Sequence, residues 1–332
     1  MQKEKKQHLE WFEIKNFKSI KHIRSEAKKV NVFIGEPNVG KSNLLEALGA
    51  LNPFYSVDSQ FLKGIVRYEN LMNLFYDEVV EDQITIESNL FYGEIDYKVG
   101  QNNLGILYKV NNDEVPLIGI LNESGLEEFS ISYKPEYIIK KFQFKNEVKS
   151  NVSFSKELIP PFGNNIFSVV DNDESLKSEI TTLFRKQNLD FVLYKSKKIF
   201  EIEKKVNGYV YKYPYSSIAD TYQRYIFYLA AIRSNKDSII IFEEPEVHSF
   251  PPFVRNLAEE IVADETNQYF ISTHSPYLLL SLIENIAFED LNIFLTSYEN
   301  NETKIKSLSQ EKITEILDFN MDVFFNLEKL MA

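Results

Sequence analysis

The segment Gly35-Glu36-Pro37-Asn38-Val39-Gly40-Lys41-Ser42 has the spacing G-x-x-x-x-G-K-S. Glycines at its two ends let successive backbone N–H groups curl around a phosphate, and a helix starting at its end adds a partial positive charge. Lys41 is the group that neutralises β- and γ-phosphate oxygens, and the Ser42 hydroxyl is a ligand for Mg²⁺. Gly35, Asn38, Gly40, Lys41, Ser42 and Asn43 are therefore the candidate nucleotide-binding residues of this segment.

A second constellation is Ile239-Ile240-Ile241-Phe242-Glu243-Glu244, an apolar run ending in two carboxylates. A buried parallel strand delivers such a pair to the open end of its sheet, beside a phosphate loop. One carboxylate, Glu243, is assigned to the metal and its neighbour Glu244 to the attacking water. A third run, Tyr269-Phe270-Ile271-Ser272-Thr273-His274-Ser275-Pro276, ends in a polar loop thirty residues past Glu244. His274 there is placed to hydrogen-bond a γ-phosphate or the same water. Lys41, Glu244 and His274 form the candidate catalytic set, and Ser42 and Glu243 the candidate metal set.

Elements of the right kind flank these motifs. Alternating apolar residues across 9–35 predict strands, the last over 30–34, and 42–50 predicts a helix with Leu44, Leu45 and Leu48 on one face. Residues 83–120 alternate again and predict an antiparallel meander. Helices are expected over 173–187, 222–233 and 253–263, and short buried strands over 238–242 and 268–272. Strand–helix alternation near both ends, around a mixed middle, predicts an α/β core of 1–124 and 216–332 with an inserted lobe at 125–215.

Composition bounds the function. The 332 residues include no cysteine, which excludes disulfides, thiol catalysis and thiolate metal sites, and only four histidines, too few for a His-rich metal cage. Apolar residues make up 44% of the chain, enough for a substantial core. With 37 Lys+Arg against 49 Asp+Glu, the net charge of -12 argues against coating nucleic acid with the whole surface. The charged start, MQKEKKQHLEW, lacks the apolar core of a secretory signal, and no apolar stretch is long enough to span a bilayer. A cytoplasmic location is expected.

In order along the chain, GKSNLLEAL (40–48), FEEPEVHSFPP (242–252) and STHSP (272–276) resemble the OLD/RecF-like branch of ABC-type ATPases, which includes much of the "AAA family ATPase" set of bacterial defence operons. Asn43 after the GKS and the acidic Glu244-Pro245-Glu246 favour this branch. The opening FEIKNFKSIKHI (12–23) resembles the family's first hairpin, which brings Lys18 and Ser19 near the nucleotide. The resemblance implies a P-loop fold of the ABC/SMC-head type: a mixed sheet, an N-terminal antiparallel β layer and an inserted α-rich lobe. It also implies ATP and Mg²⁺ as ligands, and a homo-oligomer in which one head's signature turn touches the γ-phosphate held by another. The candidate signature is Ile218-Ala219-Asp220-Thr221-Tyr222-Gln223-Arg224, of which Thr221, Gln223 and Arg224 are the contact candidates. Ala219 stands where the family has serine and Thr221 where it has glycine, so slow hydrolysis is expected.

The 202-residue interval from Lys41 to Glu243 is too short for a long coiled-coil arm, and the 58 residues after His274 are too few for the Toprim nuclease that OLD proteins carry there. The resemblance thus implies an ATPase head regulating a separate effector, a nuclease or toxin, in anti-phage defence. Two alternatives stay open: a hydrolysis-poor, ATP-dependent scaffold that sequesters its effector, and a RecF-like DNA repair ATPase. The second would use the basic stretch from Arg185 to Lys212, whose default reading is a solvated face. Asp171-Asn172-Asp173 has a DxD-like spacing, but a helix start beside it makes N-capping the simpler role.

Overall fold

The alternating runs near the start form β1 (Trp11–Phe17) and β2 (Ile20–Glu26), and the apolar run after them forms β3 (Val30–Ile34), buried at every position. The structure is a computed structural model that describes residues 8–51, 62, 64–101, 103–110, 117–122, 125–130, 138–146, 156–319 and 321–331. Residues 1–7 of the charged start and 111–116 of the expected meander lie outside the described residues. The chain divides into two units: Met1–Lys141 with Asp237–Glu244 and Thr266–Ala332, and Phe142–Lys236 with Pro245–Glu265.

The first unit holds two sheets. One is antiparallel, in the order β2-β1-β4-β5-β6-β7-β8, with β4 (Ile84–Ser88), β5 (Phe91–Lys98), β6 (Asn103–Val110), β7 (Leu117–Asn122) and β8 (Gly125–Ser130). Period-2 burial in β4 turns Ile84 and Ile86 inward, and Ile14 of β1 pairs with both Ile23 and Ile86. This is the expected N-terminal β layer, extended by β8.

The second sheet is mixed, in the order β16-β15-β3-β14-β13-β9. Its other members are β9 (Ile139–Phe142), β13 (Ile239–Glu243), β14 (Gln268–Ser272), β15 (Leu291–Glu299) and β16 (Glu302–Ser307). Strands β13, β14, β3 and β15 run parallel, and β16 returns antiparallel to β15. Apolar runs in β13 and β14, and burial of every residue of β3 including Asn31, fit strands covered on both faces. Helix α1 (Lys41–Ala50) packs on β13 and β14. Four rings lock this core: Phe33 stacks on Phe294 at 5.1 Å, and Phe12 meets Phe33, Phe270 and Phe294 edge-on. Each such pair adds about 0.5–1.5 kcal/mol beyond its buried area. Helices α6 (Pro276–Asn285), α7 (Gln310–Asp318) and α8 (Leu327–Met331) complete the unit.

The second unit combines α2 (Ile166–Asn172), α3 (Glu174–Arg185), α4 (Asp220–Ser234) and α5 (Pro251–Ala263) with a three-stranded antiparallel sheet. That sheet is β10 (Asp190–Tyr194), β11 (Ile199–Val206) and β12 (Tyr209–Pro214). Asp173 caps α3, its carboxylate accepting from Leu176 N at 3.0 Å, as the capping reading expected. Phe184, Phe191 and Phe200 form its aromatic core, with centroids 5.5 and 5.0 Å apart. No helix among the described residues is long and apolar enough to cross a membrane.

Candidate functional site

Register sets the site. Glu243 pairs with Ser272 across β13 and β14, and Ser272 pairs with Phe33 across β14 and β3. Three parallel strands therefore end side by side, and each hands its chain to one of the three motifs. This is the carboxyl edge of a parallel sheet, where such folds bind ligands.

The phosphate loop links β3 to α1. Gly40 is left-handed, with φ 99°, and is the N-cap of α1, so the first N–H groups of that helix lack intrahelical acceptors. A Cβ on Gly40 would lie 2.0 Å from Thr303 Oγ1, and one on Gly35 would lie 2.3 Å from the Thr296 carbonyl oxygen. Both positions exclude a side chain. Asn38 is also left-handed, with φ 63°. Lys41 Nζ donates to the carbonyls of Gly35 at 2.9 Å and Glu36 at 2.7 Å. Burial pulls the Lys41 pKa below the usual lysine value, against the opposing field of Glu244. Asn43 Nδ2 donates to Ser19 Oγ at 2.7 Å, and Ser19 Oγ meets Thr303 Oγ1 at 2.7 Å. Thr303 in turn donates to Val39 O at 3.0 Å. The first hairpin and β16 thus hold the loop from behind.

Ser42 and Glu243 touch. Burial opposes ionisation of Glu243, but Lys141, a hydrogen bond from the Ser42 hydroxyl and Arg67 together hold its pKa below the usual carboxylate value. Arg67 Nη2 lies 3.1 Å from Glu243 Oε1, and Lys141 Nζ lies 3.3 Å from Oε2. Ser272 Oγ, on the residue paired with Glu243, is buried with no hydrogen-bond partner among the described residues. One carboxylate and hydroxyls beside a phosphate loop suit Mg²⁺, which keeps waters and binds through few protein ligands. No group of three or more His, Asp or Glu side chains able to hold a metal occurs among the described residues.

Glu244 follows the strand with φ 45°, its N–H held by Ser272 O at 3.0 Å. His274 Nε2 lies 3.5 Å from Glu244 Oε1. Burial and then Lys41 depress the His274 pKa, while Glu244 raises it, and the net shift is downward. The shift favours neutral His274 beside the Glu244 carboxylate, and both side chains are a little over a third exposed.

Lys18 lies behind the loop. It binds Glu46 and the Arg67 carbonyl, and Arg67 Nε binds the other Glu46 oxygen at 2.7 Å. Burial lowers the Lys18 pKa, and Glu46 works against that shift. Glu46 is fully buried on α1.

All eleven sequence candidates from the loop, the strand ends and the hairpin lie in the first unit. Thr221, Gln223 and Arg224 lie in the second, on the opening turn of α4. There Thr221 Oγ1 donates to His248 O at 2.7 Å, and Gln223 Nε2 to Ile218 O at 3.0 Å. Arg224 Nε binds Asp220, which also holds His248. In the basic stretch, Lys195, Lys205 and Lys212 pair with Asp171, Asp190 and Glu201 respectively.

Sequence reasoning missed Glu46, Arg67, Lys141 and Thr303. Glu46 had a signal: one acid among the leucines of a helix that starts at a phosphate loop, one turn after Ser42. The IKKF of β9 shows no alternation, because all four residues are buried, so Lys141 had none. Arg67 and Thr303 reach the site through tertiary folding alone.

Residues 121–281 match a family model described as "AAA domain, putative AbiEii toxin, Type IV TA system". No curated protein matches the chain. Among solved structures, an SmcHead bound to the C-winged helix domain of ScpA is 14% identical, with a TM-score of 0.52, covering 93% of this chain and 100% of that one. A Pyrococcus furiosus Smc head domain with an extended coiled coil, bound to the C-terminal domain of ScpA, is 13% identical with a TM-score of 0.49, covering 94% and 99%. The SMC head domain from Thermotoga maritima is 10% identical with a TM-score of 0.44, covering 91% and 99%. The fold is the mixed α/β, ABC/SMC-head type of P-loop structure.

Proposed function

We propose that the chain is a nucleotide-gated ATPase head that binds ATP with Mg²⁺, assembles with further copies of itself and regulates a separate effector. The carrying observation is the convergence of Lys41, the Ser42–Glu243 pair and the Glu244–His274 pair at three adjacent strand ends. Lys41 exchanges its two loop carbonyls for phosphate oxygens. Ser42 and Glu243 would hold Mg²⁺, which neutralises phosphate charge when bound. Glu244 Oε accepts the proton of the attacking water, and neutral His274 orients that water or the γ-phosphate. The products are ADP and phosphate.

The effector role rests on the resemblance of the motifs to ATPases of defence operons, and the matching family's description as a toxin–antitoxin component accords with it. A nuclease or toxin acting against phage is the effector class this supports, in the cytoplasm. Nucleotide-dependent closure of two heads supplies the switch, since hydrolysis removes the contacts that ATP provides.

One observation favours a second reading, a scaffold that binds ATP and barely hydrolyses it. Thr221 Oγ1 and Gln223 Nε2 donate inside their own unit, and Gln223 is 2% exposed. The deciding experiment is ATP turnover of wild type, Lys41→Ala and Glu244→Gln, with oligomer mass measured with and without ATP and Mg²⁺. Turnover lost in both variants supports the ATPase switch. Lys41-dependent assembly without turnover supports the scaffold, and neither effect refutes both.

A further inference from the structure

The second unit contains a cavity of about 620 Å³ that the phosphate-loop chemistry does not use. That is the size of a small-molecule site and far larger than a void for a few waters. Its wall is aromatic, with Phe144, Phe162, Phe167, Phe200, Phe227 and Tyr215 among the lining residues. Rings arranged around one space offer faces and edges to a planar ring system.

The polar part of the lining is unbalanced in charge. Lys145, Lys198 and Lys212 line the cavity, against one acid among the described lining residues, Glu201. Lys212 is committed to that acid and to Glu203, each at 3.2 Å. Lys145 Nζ lies 3.5 Å from the centre of the Phe162 ring, and Lys198 makes no ion pair among the described residues. Two ammonium groups are thus left for an anion.

We propose that this cavity is a binding site for a small planar aromatic anion. Its ring system packs among the phenylalanines, and its charge pairs with Lys145 and Lys198. A cation is disfavoured by the lysines, and a neutral hydrocarbon leaves the ammonium groups unused.

Calorimetric titration of the full chain tests this, with 8-anilinonaphthalene-1-sulfonate as the anionic probe and N-phenyl-1-naphthylamine as its neutral counterpart. The expected result is one site per chain that prefers the sulfonate by about tenfold or more. Lys145→Glu with Lys198→Glu should weaken the sulfonate by a similar factor, while Lys41→Ala leaves it unchanged. Asn164→Trp, which fills the cavity from its lining, should abolish binding of both probes while far-ultraviolet circular dichroism stays the same. Equal affinity for the neutral probe overturns the anion assignment. Sulfonate binding that survives the cavity variants, that disappears in Lys41→Ala, or that is absent from wild type overturns the site. Binding is read without ATP, so this outcome is separate from the fate of the ATPase reading.

Discussion

His274 Nε2 lies 3.5 Å from Glu244 Oε1, each residue standing just beyond the end of one of two paired parallel strands. The pair joins a carboxylate that can take a proton to an imidazole that burial and Lys41 keep neutral. Glu244→Gln keeps the shape and removes the base. Turnover is expected to fall by about a hundredfold or more, the usual worth of general-base catalysis, with ATP binding retained. Single-turnover hydrolysis beside filter-binding of labelled ATP separates the two effects.

The same pair makes a spectroscopic prediction. In the folded chain the His274 pKa lies below the ordinary histidine value, lowered by burial and Lys41 and raised by Glu244. Lys41→Ala should therefore move the titration up in pH, and Glu244→Gln should move it down. A folded-state pKa below the unfolded one means that this group's contribution to stability is present above the unfolded value and is lost as pH falls. Imidazole proton shifts across pH, assigned by the resonance missing in His274→Asn, read both movements. A titration at the ordinary value in all three proteins would contradict the part-buried contact of His274 with Glu244.

Much of the site could be read from local pattern, because its parts are punctuated locally. The phosphate loop needs its glycines, two buried strands show as apolar runs ending in Glu243 and Ser272, and the strand ending in Ile34 shows as alternating apolar residues. What local pattern does not carry is the shell behind them. Thr303 braces Gly40 from a strand 263 residues away, and Arg67 and Lys141 reach Glu243 only after the sheet is assembled. The signature turn shows the same limit: its residue types are readable, but the local hydrogen bonds of Thr221 and Gln223 are not.

Glu46 is the anchor of that shell. It is fully buried and carries both Lys18 and Arg67. Glu46→Ala strands a buried ammonium, so a loss of about 3 kcal/mol or more is expected. Replacing both partners with apolar residues of similar size, Glu46→Leu with Lys18→Met, should recover most of it, because the loss comes from an unpaired charge. Urea unfolding of the single and double variants gives the coupling energy directly.

Glu13 links stability to acid. Burial works against its charge, but His22, Lys15 and Arg24 outweigh that and lower its pKa from 4.5 to about 2. Lys15, His22 and Arg24 are about half exposed, which screens their effect, so the contribution at pH 7 is about 1 kcal/mol rather than the full shift. A depressed folded-state value gives stability that is complete above the unfolded value and lost as pH falls from about 4.5 towards 2. Glu13→Gln should thus be less stable than wild type at pH 7, and the gap should close by about pH 2. Denaturant midpoints at several pH values follow it.

Gly40 should tolerate no side chain. Its φ of 99° is left-handed, and a Cβ would sit 2.0 Å from Thr303 Oγ1 and 2.9 Å from Ser19 Oγ. Gly40→Ala therefore meets two costs at once, backbone strain of about 1–2 kcal/mol and a collision with the brace behind the loop. Thr303→Ala removes the nearest atom but leaves the strain and the Ser19 contact. Adding it to Gly40→Ala should restore part of the melting temperature without restoring ATP affinity, since the loop also loses its bond to Val39 O. Melting curves and nucleotide titration on the two single variants and the double would show this. Full recovery of both quantities would mean that the brace, rather than the left-handed turn, is what requires glycine.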